Sequence, residues 1–335
     1  MRLTGKRILF FSPRSFGYEV VIKKRLEELG ADVTYYDDRP SNGFWGKAML
    51  RVSKRSMTIR IKQYYQSICK ELKSESDFDF IFLLNLEAMP LWFIKKLRAS
   101  YSNAPIVLYM WDSFRNKTHT HEYMPWCDRV ISFDKEDQKY NSRLEFRPLF
   151  YLNQYSEIAS CKNYIYDISF VATAHSDRFV IAQEIKRQVE KFGGVAFNYF
   201  YLQSKKLFLY LKLTNPAFKS THASDFNYKS LSTDDLLDVI AKSKAVLDIQ
   251  HPKQTGLTMR TIEMLGAERK LVTTNAAIRE YDFYNPNNIC IIDRENPVLD
   301  KSFLSSPYQP IDKALYHKYS IDGWLEYIFK GVDEM

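Results

Sequence analysis

His251–Asn275, HPKQTGLTMRTIEMLGAERKLVTTN, is the stretch of sequence that decides the fold. An apolar run of strand length, Lys244–Gln250 (KAVLDIQ), precedes it, and it ends in a second run rich in β-branched residues, Lys270–Thr274 (KLVTT). Between the two runs, Leu257–Leu265 places apolar side chains at helical spacing, so that they share one face. The pattern predicts a β-loop-α-β unit, the building block of α/β sheets.

The loop of this unit carries residues suited to a nucleotide diphosphate. Gly256 lies directly before the predicted helix, and a residue without a Cβ lets a ligand approach the backbone. The amides of Gly256, Leu257 and Thr258 are expected at the helix start, where they have no internal partner and favour an anion. Arg260 suits a bidentate contact with phosphate, and Glu263 suits the vicinal hydroxyls of a ribose. From chemistry alone, an ordinary β-α-β unit with a solvated Arg260 and Glu263 is an open alternative.

The sequence of this stretch resembles that of the C-terminal donor site of GT-B glycosyltransferases, in particular the bacterial enzymes of lipopolysaccharide and capsule assembly. In that family a loop with glycine leads into a helix bearing glutamate, and the following strand ends in Thr-Asn, as Thr274 and Asn275 do here. A wider, retaining group carries a Glu-x7-Glu pair; Glu263 matches its second member, whereas Thr255 stands at the first. The resemblance therefore implies a nucleotide-sugar donor site but no particular stereochemical course.

The resemblance implies an α/β fold of the GT-B type, with two doubly wound, Rossmann-like domains that face each other across a cleft. It covers most of the chain and is most specific at Asp167–Arg178 (DISFVATAHSDR) and His251–Tyr284. Such enzymes bind the acceptor in the N-terminal half and the nucleotide sugar in the C-terminal half. The expected division is an acceptor domain over residues 1–152, a donor domain over 153–318, and a C-terminal helix over 319–335 that packs back on the first domain.

Length and composition agree with two globular domains. A chain of 335 residues suits two domains of roughly 150 residues each, and 23 Tyr with 23 Phe supply ample core. The four cysteines form no Cys-x-x-Cys pair, which disfavours a disulfide framework and a zinc site and favours a reducing compartment. Ile8–Phe11 is too short for the core of a signal peptide, and no apolar run approaches the length of a membrane span. We therefore expect a cytoplasmic protein.

The formal charge of +8 is concentrated in one segment, Arg39–Lys70, which has eight basic residues and no acidic one. Aromatic and aliphatic residues lie between the basic ones, from Phe44 to Tyr65. This composition suits peripheral contact with an anionic membrane surface or a lipid-linked acceptor through residues 44–65. A solvated helix that packs on its own domain is the main alternative. A nucleic-acid groove would use the same composition, but nucleic acid is the least favoured partner.

The first half alternates predicted strands and helices. The strands are Arg7–Phe11, Val33–Tyr36, Phe80–Leu84, Ile106–Trp111, Arg129–Phe133 and Phe146–Phe150, and the helices are Glu19–Leu29, the basic segment, Leu91–Ala99 and Lys135–Asn141. Gly17 lies where the first strand turns into the first helix, and it is either a point of close ligand approach or an ordinary turn glycine. The dinucleotide fingerprint G-x-G-x-x-G is absent, which disfavours an NAD enzyme.

The second half repeats the alternation around the central unit. The further strands are Asp167–Ala172, Val195–Leu202 and Ile289–Ile292, and the further helices are Arg178–Lys191, Ser204–Leu213, Asp234–Lys242 and Ile321–Phe329. Ser232 and Asp235 form a capping box at the start of the third of these helices. An irregular insertion is expected over Thr214–Ser230.

The resemblance also suggests donor-binding residues outside the central unit. His175 and Arg178 fall where such enzymes contact phosphate, and a cation at a helix start is otherwise disfavoured by the dipole. His251 and Lys253 precede the glycine loop and are placed to reach the diphosphate or the sugar, although His251 before a proline can simply end its strand. Tyr228 lies where the nucleobase pocket of the family tends to be.

Transfer of the sugar needs stabilisation of the leaving diphosphate and removal of a proton from the acceptor hydroxyl. Cations and helix amides can provide the first without a metal, so no metal or other cofactor is expected. Asp112, which ends IVLYMWD, is the first candidate for the base, and Glu87 is the second. Each has the alternative of a structural loop acid. His119 and His121 have no third ligand nearby in the sequence and are interpreted as a surface loop.

The metal-dependent GT-A fold is disfavoured, because the one Asp-x-Asp motif, Asp77–Asp79, precedes its strand instead of following it. The sequence therefore predicts a glycosyltransferase, a hexosyl or related transferase. It would be metal-independent and act on a lipid-linked glycan of a bacterial surface polysaccharide. A non-catalytic nucleotide- or polyanion-binding protein that uses the basic segment is the alternative. Release of free nucleotide from a nucleotide sugar separates the two.

Overall fold

The computed structural model describes residues 2–40, 54–75, 77–251 and 256–330. The chain divides into two compact units. Unit 1 comprises Met1–Pro148 and Leu325–Met335, and unit 2 comprises Leu149–Trp324.

Unit 1 contains a six-stranded parallel sheet with the order β2-β1-β3-β4-β5-β6. The strands are β1 Arg7–Ser12, β2 Asp32–Asp37, β3 Phe80–Leu84, β4 Ile106–Met110, β5 Arg129–Ser132 and β6 Glu145–Phe146. Every residue of β3 and β4 is buried. Continuous apolar runs of this kind form strands because a parallel sheet is covered on both faces.

The helices of unit 1 are α1 Tyr18–Glu28, α2 Lys54–Glu71, α3 Leu91–Ser100 and α4 Lys135–Tyr140. Gly30 follows α1 with φ of 97°, a conformation that ends helices and favours glycine. The apolar faces of α2 and α3 pack on the sheet in one core with Leu83 and Leu108.

Unit 2 contains a five-stranded parallel sheet with the order β11-β10-β9-β7-β8. The strands are β7 Tyr166–Thr173, β8 Ala196–Tyr201, β9 Ser243–Asp248, β10 Lys270–Thr273 and β11 Ile289–Ile291. The helices are α5 Asn153–Glu157, α6 Arg178–Lys191, α7 Lys205–Thr214, α8 Thr233–Ala241, α9 Met259–Gly266, α10 Lys301–Ser305, α11 Lys313–Lys318 and the start of α12 Ile321–Ile328. The capping box predicted at Ser232 and Asp235 is present at the start of α8.

Three sequence predictions need correction. The strand Phe146–Phe150 is wrong, because only Glu145–Phe146 pairs with β5; Pro148 has no N–H to donate to a ladder. The short helices α5, α10 and α11 were not predicted. The insertion Thr214–Ser230 contains two short 3-10 helices, and Phe218 and Phe226 are buried inside it.

The last turn of α12 and the residue after it pack in unit 1. Arg129 donates to the carbonyls of Tyr327 at 3.1 Å and Ile328 at 2.8 Å. The ring of Phe329 lies 4.5 Å from that of Phe80 on β3.

The segment considered for membrane contact lies only partly within the described residues. Residues 41–53 and the side chains of residues 54–57 are outside them. Within α2, Tyr65 is fully buried and Ile61 and Tyr64 pack against the core, whereas Ile59 is exposed. Over the ranges described, the chain has no helix of the length and hydropathy needed to cross a membrane.

One buried guanidinium holds several segments of unit 2 together. Arg269, at the start of the turn into β10, is 2% exposed and donates only to main-chain carbonyls. The acceptors belong to Ile158, Cys161, Ile240, Ala241, Ala267 and Glu268, at 2.7–3.4 Å. The ring of Tyr164 covers the guanidinium at 5.2 Å. Arg269 therefore satisfies buried carbonyls from three parts of the chain.

Replacing Arg269 with Ala should destabilise unit 2 by about 3 kcal/mol or more, because several buried carbonyls lose a charged donor at once. Urea unfolding followed by circular dichroism measures the change. The matched control is Arg279→Ala, because Arg279 is an exposed arginine of the same unit. An equal, small effect of both substitutions would contradict the role given to Arg269.

Candidate functional site

The strand order of unit 2 reverses beside β7. The chain passes from β7 to β8 on one side and then returns to β9 on the other, and the carboxyl ends of β7 and β9 form the kind of switch point at which open parallel sheets bind ligands. His175 follows β7 and His251 follows β9, and their rings lie 5.8 Å apart. Two residues predicted from separate parts of the sequence thus meet at the switch point.

Arg178 spans the same two strand ends. Its Nε donates to the carbonyl of Ile249 at 2.8 Å, and its Nη1 approaches that of Thr173 at 3.4 Å. Burial lowers the pKa of the guanidinium, and the charge of Arg294 acts in the same direction. Within the ranges that the structure describes, no protein acceptor bonds Nη2 of Arg178. The side chain is fixed and desolvated, and it has donors left for an anion.

Arg294, which the sequence analysis missed, joins this site from the loop after β11. Its Nη1 contacts both carboxylate oxygens of Asp177, at 2.7 and 2.8 Å, and its Nη2 donates to the carbonyl of Gln250. The side chain therefore ties the loops after β7 and β9 together. Its position three residues past a strand end was the signal that could have identified it.

The start of α9 differs from the prediction. The helix begins at Met259, and Thr258 is its N-cap, accepting from the amide of Thr261 at 3.2 Å. Gly256 therefore precedes the cap instead of the helix, and Leu257 is a core residue with 2% exposure. A threonine hydroxyl satisfies an orphan amide, whereas glycine has no side chain to do so, and this fixes the start.

A buried carboxylate that was not predicted orients this helix start. Asp248 ends β9, is 6% exposed, and accepts from the hydroxyls of Thr258 at 2.5 Å and Thr261 at 2.8 Å. Asn275, after β10, approaches the carbonyl of Gly256 with its Nδ2 at 3.5 Å. The residues at the ends of β9 and β10 thereby hold Gly256 and the start of α9 at the carboxyl edge of the sheet.

Glu263 and Arg260 are not a solvated pair. Glu263 is 7% exposed, and the Nε of Arg260 lies 3.5 Å from its carboxylate. Burial raises the pKa of Tyr155, and the Glu263 charge adds to the effect, which places this phenol beside the carboxylate. Glu263 is therefore buried between Arg260 of the same helix and Tyr155 of α5.

The remaining predicted donor residues are Tyr228 and Lys253. Tyr228 donates to the carbonyl of Ala223 at 3.1 Å and lies 6.0 Å from the Nζ of Lys205, beside the carboxyl end of β8. Lys253 is among residues 252–255, which lie outside the described residues.

Unit 1 has a switch point of its own, between β1 and β3. Asp38, which the sequence analysis missed, is fully buried after β2 and accepts from the amides of Glu87, Ala88 and Met89 at 2.6–2.9 Å. The hydroxyl of Tyr65 donates to the same carboxylate at 2.9 Å. Asp38 therefore fixes the loop that carries Glu87.

The two candidate bases share a lysine. The Nζ of Lys117 lies 3.2 Å from the carboxylate of Glu87 and 3.6 Å from that of Asp112. Arg39 adds a second cation 3.4 Å from Glu87, and Asn85 exchanges two hydrogen bonds with Asp112, at 3.1 and 3.2 Å. The two candidate acids thus lie near each other, and the cations paired with them make their surroundings mixed in charge.

Gly17 has φ of 81° and caps α1, and a Cβ added there would meet open space. Its left-handed conformation favours glycine, as a tight turn requires. The preceding Phe16 is fully exposed with φ of 54°. His119 and His121 lie in a 3-10 helix, and no group of three potential metal ligands occurs in the part of the chain that the structure describes.

The site predicts a pH effect on stability. Burial lowers the pKa of His175 to about 4, and the charges of Arg178 and His251 act in the same direction. Between the ordinary value of about 6.5 and this value, the unfolded chain binds a proton that the folded chain does not. Stability should therefore fall as the pH decreases through that window.

The His175→Asn variant should lose less melting temperature between pH 7 and pH 5 than the wild type. Thermal unfolding at a series of pH values measures this difference. An identical loss in both proteins would show that His175 does not titrate abnormally.

Comparison with known proteins identifies structures that share the fold of this chain. No protein-family model matches the chain, and no curated protein matches it. Solved structures do match. The Anabaena protein HepE, in complex with UDP and glucose, is 10% identical with a TM-score of 0.58, over 98% of this chain and 100% of that chain. Sucrose-phosphate synthase from Thermosynechococcus elongatus is 8% identical with a TM-score of 0.63, over 98% and 99%.

UDP-GlcNAc 2-epimerase from Methanocaldococcus jannaschii is also similar, with 11% identity and a TM-score of 0.56, over 97% of this chain and 100% of that chain. At such identities the likeness concerns the fold alone. Two parallel sheets with alternating helices match these neighbours over almost the whole chain. The predicted fold class is confirmed: the chain has an α/β fold that matches GT-B proteins.

Proposed function

We propose that the protein is a glycosyltransferase that moves a sugar from a nucleotide sugar to a saccharide acceptor. The observation that carries the proposal is Arg178, a desolvated guanidinium with unused donors at the switch point of unit 2. Ligands of open parallel sheets bind at such points. A uridine diphosphate sugar is our first candidate for the donor, because HepE of the same fold was solved with UDP and glucose.

The residues of unit 2 suit the parts of such a donor. Nη2 of Arg178 suits a phosphate oxygen, and the amides at the start of α9 offer further donors with a favourable dipole. Glu263 is assigned to the ribose hydroxyls and His251 to the diphosphate or the sugar. His175 stays neutral near pH 7, so it would act as a hydrogen-bonding group and not as a cation.

In the reaction the bond between the anomeric carbon and the diphosphate oxygen breaks, and its electron pair leaves with the diphosphate. Arg178 and the α9 amides are preorganised to stabilise that charge, which requires no metal. The acceptor hydroxyl forms the new bond to the anomeric carbon and gives its proton to a carboxylate. We assign that role to Asp112 first and to Glu87 second, with Lys117 keeping both positioned.

We further propose a lipid-linked acceptor and a role in a bacterial surface polysaccharide, on the cytoplasmic side of the membrane. The sequence resemblance and the basic segment over residues 39–70 support this part. Contact with an anionic membrane through residues 44–65 is included in the proposal, and nucleic acid is not expected as a partner.

A nucleotide-sugar epimerase is a second candidate, because a UDP-GlcNAc 2-epimerase matches this chain over a similar length. Such an enzyme would return an intact nucleotide sugar with a changed sugar. A non-catalytic nucleotide binder would return the substrate unchanged. Product analysis therefore separates all three functions.

Arg178→Met should weaken UDP binding by about 10- to 100-fold, the usual effect of losing a charged hydrogen bond. Glu263→Gln should weaken it in the same direction. Isothermal titration calorimetry measures both. Arg187→Met is the matched control, since Arg187 lies on the same helix but is exposed and pairs with Glu184. Wild-type affinity in Arg178→Met would remove the main support for the donor site.

Asp112→Asn should lower the release of UDP in the presence of acceptor by about 100-fold or more, because a general base is lost. UDP affinity should stay unchanged. The assay uses a panel of UDP-sugars with lipid-linked saccharide acceptors and detects free UDP and the transferred sugar. Glu122→Gln, at an exposed acid of unit 1, is the control. Full activity in Asp112→Asn together with a large loss in Glu87→Gln would transfer the role to Glu87.

A further inference from the structure

Helix α7, over Lys205–Thr214, has an apolar side that unit 2 does not cover. Phe208 is 4% exposed and packs into the unit 2 core. On the other side, Leu209, Tyr210 and Leu213 are 60%, 62% and 83% exposed. Leu209 and Leu213 are one turn apart, so they form a continuous apolar surface.

This surface is held in place by the chain around it. Ser204 caps the helix by accepting from the amide of Leu207 at 3.1 Å, and Lys212 donates to the carbonyl of Thr221 at 2.8 Å. The ring of Phe208 lies 5.5 Å from that of Phe226, within the insertion that follows the helix. The exposed leucines therefore belong to a packed helix and not to a loose end of the chain.

The stretch of sequence that contains the helix carries charge of one sign. From Lys191 to Ser224 the chain contains no Asp or Glu and has lysines at 191, 205, 206, 212 and 219. Lys205 and Lys206 are exposed at the start of α7. We define the α7 face as Leu209, Tyr210 and Leu213 with these two lysines.

We propose that the α7 face docks on an anionic lipid bilayer. Exposed leucines and a tyrosine flanked by lysines are the composition of helices that lie in the membrane interface. A second copy of the chain fits less well, because an isologous contact would bring the lysines of both copies together. A nucleic acid fits less well because leucine has no aromatic face on which a base can stack.

Docking through α7 adds to the membrane contact of the proposed function. It rests on that proposed function only in assuming that the acceptor is linked to a lipid. It assigns a contact to unit 2, in a segment separate from residues 44–65. Vesicle binding tests it without any turnover, so its outcome is independent of the catalytic proposal.

The experiment is co-sedimentation of the full chain with vesicles of phosphatidylcholine alone and of phosphatidylcholine with phosphatidylglycerol. The wild type should bind the anionic vesicles at least tenfold more strongly, and binding should weaken as salt is raised. Leu209→Glu combined with Leu213→Glu should weaken binding at least tenfold. Lys205→Gln combined with Lys206→Gln should weaken it several-fold at low salt, since each lysine near an anionic surface adds to the attraction.

Val298→Glu is the matched control, because Val298 is 62% exposed in the same unit but lies outside α7. It should bind vesicles as the wild type does. Retained melting temperature in every variant shows that the substitutions have not unfolded the protein.

Two results would overturn the proposal. One is that the double leucine variant binds vesicles as strongly as the wild type does, which would show that other segments of the chain make the contact. The other is that neither protein binds vesicles, while sedimentation velocity shows a dimer for the wild type and a monomer for the double leucine variant. Vesicle binding that depends on α7 in a protein without transferase activity would support the α7 face and count against the proposed function alone.

Discussion

Reversal of strand order beside the first strand of each sheet is the constraint on which both candidate sites depend. Right-handed connections carry consecutive strands to one side of β1 or β7 until the chain returns on the other side. The loops after β7 and β9 are therefore neighbours at the edge where open parallel sheets bind ligands. His175, Arg178 and His251 are near one another for this reason, although 73 residues separate Arg178 from His251.

Carboxylates at the carboxyl edges of the two sheets are held in two different ways. Asp38 and Asp248 accept hydrogen bonds from amides and hydroxyls, and these bonds fix loops at the carboxyl edges of the sheets. Glu87 and Asp112 are half-exposed and depend on Lys117 and Arg39 instead. The first arrangement is rigid because its hydrogen bonds are made within the fold. The second can rearrange when a ligand competes for the cations.

Sequence reasoning was strongest where a pattern is local. The bounds of β3 and α6 match the prediction, since a short apolar run and an amphipathic run that ends before two glycines are complete signals in themselves. It was weaker at the start of α9, where glycine was preferred over the threonine that caps the helix. Proline at 148 was also underweighted as the end of a strand.

The partners that complete each site were not predictable in this way. Arg294 meets Asp177 across 117 residues, and Lys117 meets Glu87 across 30. A single sequence shows which residues follow strands, but it does not show which loops are neighbours until the strand order is known. The resemblance nominated His175 and Arg178, which lie beside the ends of β7 and β9, and their roles there remain predictions.

The carbonyl acceptors around Arg269 have a consequence for how this protein tolerates sequence change. Since every acceptor belongs to the main chain, the residues at 158, 161, 240, 241, 267 and 268 can vary without loss of a hydrogen bond. The arginine itself has no such freedom, because lysine has one nitrogen and lacks a planar fork. Divergent relatives should therefore keep an arginine at position 269 while the residues around it change. Conservation of this arginine would then reflect its role in the fold and not a role in catalysis.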